Sequence, residues 1–254
     1  ELEDSLWSGL LDSVCGCTMA ETAENCATQY GIGRDAQDAY ALRSQQTAVR
    51  AWDDGTLADE VVPVEVKTRK GVVTFARDDH LRPETTLEAL AMLPSAFTKD
   101  GTVTAGNASG IVDGGAALVL ASEQAVDRRG LRPLGRLVGW AVTGVEPRLM
   151  GLGPVPATRQ LLTTVGLSLS DIDLIEVNEA FAAQYLAVEK ELGLDRDRVN
   201  VNGGAIALGH PLGMTGTRQL LTLLLELRRR GQRRGIATAC IGGGQGIAAL
   251  VETV

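Results

Sequence analysis

From residue 134 to the end, apolar stretches of strand length alternate with stretches of helical periodicity. Strands are expected near 134–142 and at 172–177, 199–201, 235–240 and 246–252. Helices are expected near 156–165, at 179–192 and from about 213 to 230. A strand followed by a helix and another strand folds back into the same sheet, so this alternation predicts an α/β domain with a mixed, largely parallel sheet.

The first half is less regular. Residues 21–54 read as two helices, one capped by Thr22 and running through Tyr30, the other capped by Asp35 and running through Trp52 with Gly55 just past its end. Residues 61–66 and 72–75 alternate apolar and polar around the basic turn Lys67-Thr68-Arg69-Lys70-Gly71, the pattern of a hairpin. Residues 85–93 predict a short helix. A glycine-rich stretch, 101–115, leads into the continuous apolar run 116–121, expected as a buried strand, after which Ser122 caps a helix ending near Gly130. The break near residue 110 separates an insertion-like part from the regular part.

Thirty of the 254 residues are glycine, against a usual share of about 7%, and they cluster around reactive residues. His210 lies in Asn202-Gly203-Gly204-Ala205-Ile206-Ala207-Leu208-Gly209-His210-Pro211-Leu212-Gly213, and Cys240 opens Cys240-Ile241-Gly242-Gly243-Gly244-Gln245-Gly246. Glycine costs backbone entropy in regular structure, so such runs suit close approach of a substrate. His210 is either a packed histidine at a helix entrance or a general base working near neutral pH. Cys240 is either a small buried apolar residue or a reactive thiol whose glycine turn offers N–H groups to an oxyanion. Asn178 and Glu179 follow strand 172–177. They suit a helix N-cap and first turn, and equally the strand-to-helix corner where open α/β sheets bind ligands.

A net charge of −8 argues against a general nucleic-acid binder, which would show a basic face. Lys67, Arg69, Lys70, Arg77 and Arg82 remain as solvated charges or as a local patch for a phosphorylated ligand. Arg228-Arg229-Arg230 sits at a helix C-terminus, where cations are favoured. Cys15, Cys17, Cys26 and Cys240 are too few for a disulfide scaffold and point to a reducing, cytoplasmic setting. Cys15-Gly16-Cys17 has no second ligand pair, so no metal is expected. No apolar run approaches the roughly 18 residues of a membrane span. The opening Glu1-Leu2-Glu3-Asp4, without a methionine, reads as the start of a piece of something longer.

Three frames in order, Asn178-Glu179-Ala180-Phe181, Gly209-His210-Pro211 and Cys240-Ile241-Gly242-Gly243-Gly244, resemble the C-terminal signatures of the thiolase family. Thr22-Ala23-Glu24-Asn25 and Gly106-Asn107-Ala108-Ser109-Gly110 extend the likeness upstream, over essentially the whole chain. The resemblance implies a layered α-β-α-β-α fold with an inserted loop domain. It divides the chain into a CoA-covering loop domain (1–110), a returning edge of the N-terminal domain (111–135) and a C-terminal domain (136–254). It implies an acyltransferase of fatty-acid metabolism that condenses acyl-CoA with acetyl-CoA or cleaves 3-ketoacyl-CoA, with coenzyme A thioesters as substrates and no further cofactor.

By that resemblance, His210 activates a nucleophilic cysteine and helps form an oxyanion hole, which a water held by Asn178 completes. Cys240 is the general acid/base, and the Gly242 N–H joins a second oxyanion hole. Ser109 and Arg82 contact CoA, and Leu10, Met19, Phe97, Ala105, Met150 and Phe181 line the channel. The family's nucleophilic cysteine lies in an N-terminal third to which none of Cys15, Cys17 and Cys26 corresponds, so a separate fragment is an expected partner. A dimer or tetramer is implied too. A non-catalytic CoA-binding or assembly subunit is the alternative; a decarboxylating condensing enzyme would carry a histidine in place of Asn178. Thr18 stands where short-chain members carry a histidine, which leaves room for acyl groups other than acetoacetyl.

Overall fold

The computed structural model describes residues 3–254, and Glu1-Leu2 lie outside them. After a short helix α1 (Ser5–Gly9), α2 (Met19–Tyr30) and α3 (Arg34–Asp53) lead the chain. The cap of α2 is Thr18, not Thr22: Thr18 and Glu21 exchange side-chain and backbone bonds in a capping box. Thr22 falls inside the helix, its hydroxyl on the Met19 carbonyl. α3 likewise begins one residue before the expected cap Asp35, behind Gly33.

The hairpin is present as β1 (Val64–Thr68) and β2 (Gly71–Phe75), paired antiparallel and exposed along its length. α4 (Leu87–Ala91) and α5 (Glu123–Arg129) follow. Ser122 caps α5 and Gly130 ends it in the left-handed region, as expected. Between α4 and α5 the expectation of a buried strand at 116–121 fails. The run has no strand beside it among the described residues, and Val119 and Leu120 are 95% and 84% exposed. Unpaired apolar residues cannot hold a strand by propensity alone.

The second half alternates as expected: β3 (Arg136–Gly144), α6 (Pro154–Val165), β4 (Leu174–Val177), α7 (Ala182–Leu192), a single turn α8 (Ala205–Leu208), α9 (Thr215–Arg230), β5 (Arg234–Ile241) and β6 (Gln245–Glu252). The strands form one mixed sheet in the order β3-β6-β5-β4. β4 and β5 run parallel, joined through α7, α8 and α9. The other two pairings are antiparallel, so parallel pairing is narrower than expected. A three-residue link from β5 to β6 permits nothing else. Residues 199–201 make only single bridges, Val199 to Ile175 and Val201 to Gly203.

Strand alternation sorts side chains into two cores. Ile175, Val177, Ile236, Ala248 and Leu250 pack with Val155, Leu161 and Leu162 of α6 and Tyr185 of α7. Leu174, Ala237 and Val251 point the other way, onto Leu223, Leu224 and Leu227 of α9. β4 is buried throughout, and its carboxyl end carries the site.

Candidate active site

β4 ends at Val177, and the backbone N–H of Asn178 still reaches the Thr238 carbonyl of β5 at 2.9 Å. Neither Asn178 nor Glu179 belongs to α7, whose N-cap is Phe181. The expectation that Asn178 caps the helix is therefore corrected: non-helical chain intervenes, stitched to the 104–110 loop. Ser109 donates through both its N–H and its Oγ to the Ala180 carbonyl, and the Ala182 N–H donates to Asn107.

Glu179 turns inward instead. Its buried carboxylate accepts from Tyr40 Oη (2.6 Å), Ser44 Oγ (2.7 Å), Asn200 Nδ2 (3.0 Å) and the Ile206 N–H (3.1 Å). Four donors, from α3, the 200 loop and α8, offset the cost of taking a carboxylate out of water. Gly204 leaves the room, since a Cβ there would stand 2.2 Å from the Glu179 carboxyl carbon. This hub was not legible in the sequence.

α8 delivers the chain to Gly209, whose φ of +90° and contact with Val112 leave no place for a side chain. His210 follows, its N–H on the Gly110 carbonyl at 2.8 Å. The imidazole Nδ1 lies 2.6 Å from Thr215 Oγ1 at the start of α9, and Nε2 lies 3.3 Å from Asn178 Nδ2. The Thr215 hydroxyl also lies 3.5 Å from the Pro211 carbonyl; when its proton goes to the much nearer Nδ1, the ring's own N–H sits on Nε2. Burial, and then the Arg218 guanidinium, pull His210 down to about 4, so the ring is neutral at pH 7. Asn178 Oδ1 is buried without a partner. With the amide turned over, Oδ1 accepts the Nε2–H and Nδ2 is left to donate.

Cys240 is the penultimate residue of β5, two residues beyond Thr238, at the same edge as Asn178. Burial pushes its thiol up to about 12, so the resting residue holds its proton. Cys26 on α2 lies close by; burial and the Cys240 thiol raise it also to about 12. The turn after Cys240 takes positive φ at Gly243 (+84°) and Gly244 (+75°), and Gly242 faces the thioether of Met19.

The remaining sequence candidates are spread around this centre. Phe97 and Phe181 meet edge to face at 6.3 Å. Leu10 and Met19 flank a loop closed by the Met19 N–H on the Leu10 carbonyl. Met150 is buried, and Ala105 is exposed. The Arg82 guanidinium caps the carbonyls of Asp79, His80 and Leu81 in its own loop. Two surface grooves of about 520 and 350 Å³ lie along α3, and none of the site residues lines them. His80, unremarked in the sequence, packs on Gly110, which in turn holds the His210 N–H.

Comparison with known proteins matches residues 1–124 to the thiolase N-terminal domain and 131–253 to the thiolase C-terminal domain. Among relatives, 253 residues are 56% identical to human mitochondrial 3-ketoacyl-CoA thiolase and 53% identical to acetyl-CoA acetyltransferase of Shinella zoogloeoides; each alignment covers 100% of this chain and 64% of the relative. The chain thus spans 64% of the length of these relatives. The acetyl-CoA acetyltransferase of Bacillus anthracis superposes with a TM-score of 0.98 at 52% identity, over 100% of this chain and 64% of that one. Human mitochondrial 3-ketoacyl-CoA thiolase in complex with CoA does so with a TM-score of 0.92 at 51% identity, over 100% and 63%.

Proposed function

Since the chain belongs to the thiolase family, we propose that it carries the acid/base and oxyanion side of a thiolase site, for condensation of acyl-CoA with acetyl-CoA and the reverse thiolysis of 3-ketoacyl-CoA. The observation that carries this reading is the contact of His210 with Asn178 at the carboxyl end of β4, beside the parallel strand β5 that carries Cys240 two residues past its last β4 partner, Thr238.

A proton alpha to a thioester is weakly acidic, so its removal needs a strong base and stabilisation of the enolate oxygen together. Cys240 supplies the base once its thiol proton has passed to solvent or, in the full reaction, to the CoA thiolate released by acyl transfer. Burial makes its thiolate costly, and therefore strongly basic once formed. On substrate binding the His210 Nε2–H passes from Asn178 Oδ1 to the enolate oxygen. Its depressed pKa keeps that ring a neutral donor. Asn178 completes the hole through a water held by its amide. The Gly242 N–H serves the second hole, where the acyl group is attacked. Leu10, Met19, Phe97, Ala105, Met150 and Phe181 line the channel, and Ser109 and Arg82 face CoA; no cofactor beyond the thioesters enters the scheme.

The acyl-carrying cysteine is assigned outside these 254 residues. Cys26 is buried under Gly151 with its thiol near 12, and neither Cys15 nor Cys17 lies in the family's nucleophile motif. In this reading residues 1–110 cover CoA, 111–135 return from the N-terminal domain and 136–254 form the C-terminal domain, within a dimer or tetramer. None of the helices among the described residues is long and apolar enough to cross a membrane. The free thiols favour a reducing compartment, placed here in the cytoplasm although several relatives are named mitochondrial.

Exchange of the acetyl-CoA methyl protons in D2O, followed by 1H NMR, tests the reading without the nucleophile. Cys240→Ser is expected to slow exchange by about 100-fold or more, the usual weight of a general base. Wild-type chain that binds acetyl-CoA and exchanges nothing is instead a binding subunit. Thiolysis of acetoacetyl-CoA is expected only when the cysteine-bearing N-terminal segment of a thiolase is supplied.

A further inference from the structure

The turn that follows Cys240 offers the substrate a choice of amides, and its three glycines give the backbone freedom to turn either one inward. Two anchors remove that freedom. The Val145 N–H holds the Gly244 carbonyl at 2.7 Å. The Gly243 N–H donates to Asp12 Oδ2 at 2.9 Å, across 231 residues of chain. The Gly242 N–H has no acceptor among the described residues and lies at an exposed position.

Asp12 is built for this contact. It is 4% exposed. Its other oxygen accepts the N–H groups of Val14 (2.7 Å) and Cys15 (3.2 Å). Its own N–H and carbonyl close the loop on Cys17 and Gly16, both at 2.8 Å. The same loop runs on to Met19, the residue under Gly242. Three backbone dipoles converge on one carboxylate, which spreads its charge and limits repulsion of a nearby oxyanion.

We propose that Asp12 is a positioning residue: by holding the Gly243 N–H it leaves Gly242 as the amide of this turn that faces the substrate oxygen. The proposal rests on the assignment of Gly242 to the second oxyanion hole. Neutralising Asp12 as the isosteric amide keeps the loop bonds through one oxygen and sets an NH2 group against the Gly243 N–H, which frees the turn.

Amide exchange in the chain labelled with 15N-glycine tests the geometry directly. The Gly243 amide is expected to exchange about 10- to 100-fold more slowly than Gly242, the protection given by one hydrogen bond to a charged group. Asp12→Asn is expected to abolish that difference. Equal rates in the wild type, or protection that survives D12N, overturn the proposal. In the chain supplied with the cysteine-bearing segment, D12N is expected to lower thiolysis about tenfold relative to methyl-proton exchange, because acyl transfer alone uses the second hole. A proportional fall in both would make Asp12 merely structural and refute the positioning role. Absence of methyl exchange in the wild-type chain would instead sink the thiolase reading and leave the amide result standing.

Discussion

His210 shows how far a side chain can be moved from its free behaviour by where the backbone puts it. Between about 6.5 and about 4 the unfolded chain holds a proton on this residue that the folded chain refuses. The resulting stabilisation is complete above pH 6.5 and is lost as the pH falls toward 4. The His210 ring nitrogens are expected to show neutral-imidazole 15N shifts down to about pH 5; a titration centred near 6.5 would contradict the burial argument. Glu60 has the opposite sign. Burial raises it to about 7, with one oxygen on Thr222 and the other unpartnered, so it favours the fold below pH 4.5 and loses that contribution as pH rises through 7. Glu60→Gln keeps the Thr222 contact and is expected to remove up to about 3 kcal/mol of that decline, read from urea unfolding at pH 5 and 8. His210, Cys240 and Asn178 were legible as residue types because glycine frames and a strand end marked them. Asp12 and Glu179 were not, because their partners lie far off in sequence, and no spacing rule reaches that far.

At the scale of elements, periodicity located nearly every helix and strand, and the errors have a common cause. Thr22 and Asp35 are good caps by type, yet the start of α2 was decided by a reciprocal pair, Thr18 with Glu21. The 116–121 run has strand composition and no neighbour to pair with. Asn178 has cap chemistry, but the corner it occupies is held by the Glu179 hub instead. That hub predicts a steep local cost. Glu179→Ala leaves Tyr40, Ser44, Asn200 and the Ile206 N–H without their acceptor, and is expected to destabilise by about 3–5 kcal/mol. Gly204→Ala, which intrudes on the same carboxylate, is expected to cost about 1–3 kcal/mol. Both are measured by chemical denaturation, and a loss under 0.5 kcal/mol for Glu179→Ala would show that water replaces the hub's donors.

The whole molecule divides unevenly between buried and open surface. The sheet is covered by α6 and α9, while β3 turns Trp140 outward at 63% exposure, and residues 115–121 lie outside any helix or strand and are exposed except for the half-buried Leu118. Trp7 is also exposed, at 62%, whereas Trp52 is 8% exposed beneath Arg77. Acrylamide is therefore expected to quench Trp7 and Trp140 and to spare Trp52, checked with single-tryptophan variants. Limited elastase digestion is expected to cut first within 115–121, and first cleavage inside 174–252 would contradict this distribution. Overall architecture was legible because strand and helix alternate over a long stretch; which faces stay open was not, since exposure depends on neighbours rather than on residue type.

The Glu179 hub also bears on how such a chain can be recombined. The carboxylate belongs to the regular half, and two of its donors, Tyr40 and Ser44, belong to the insertion-like half. A chimera that grafts onto this chain the segment of another thiolase that matches residues 1–110 must bring a hydroxyl at both positions. Without them the graft would seat a carboxylate with half its donors, and the seam between donor and recipient would fail at the corner that holds Asn178.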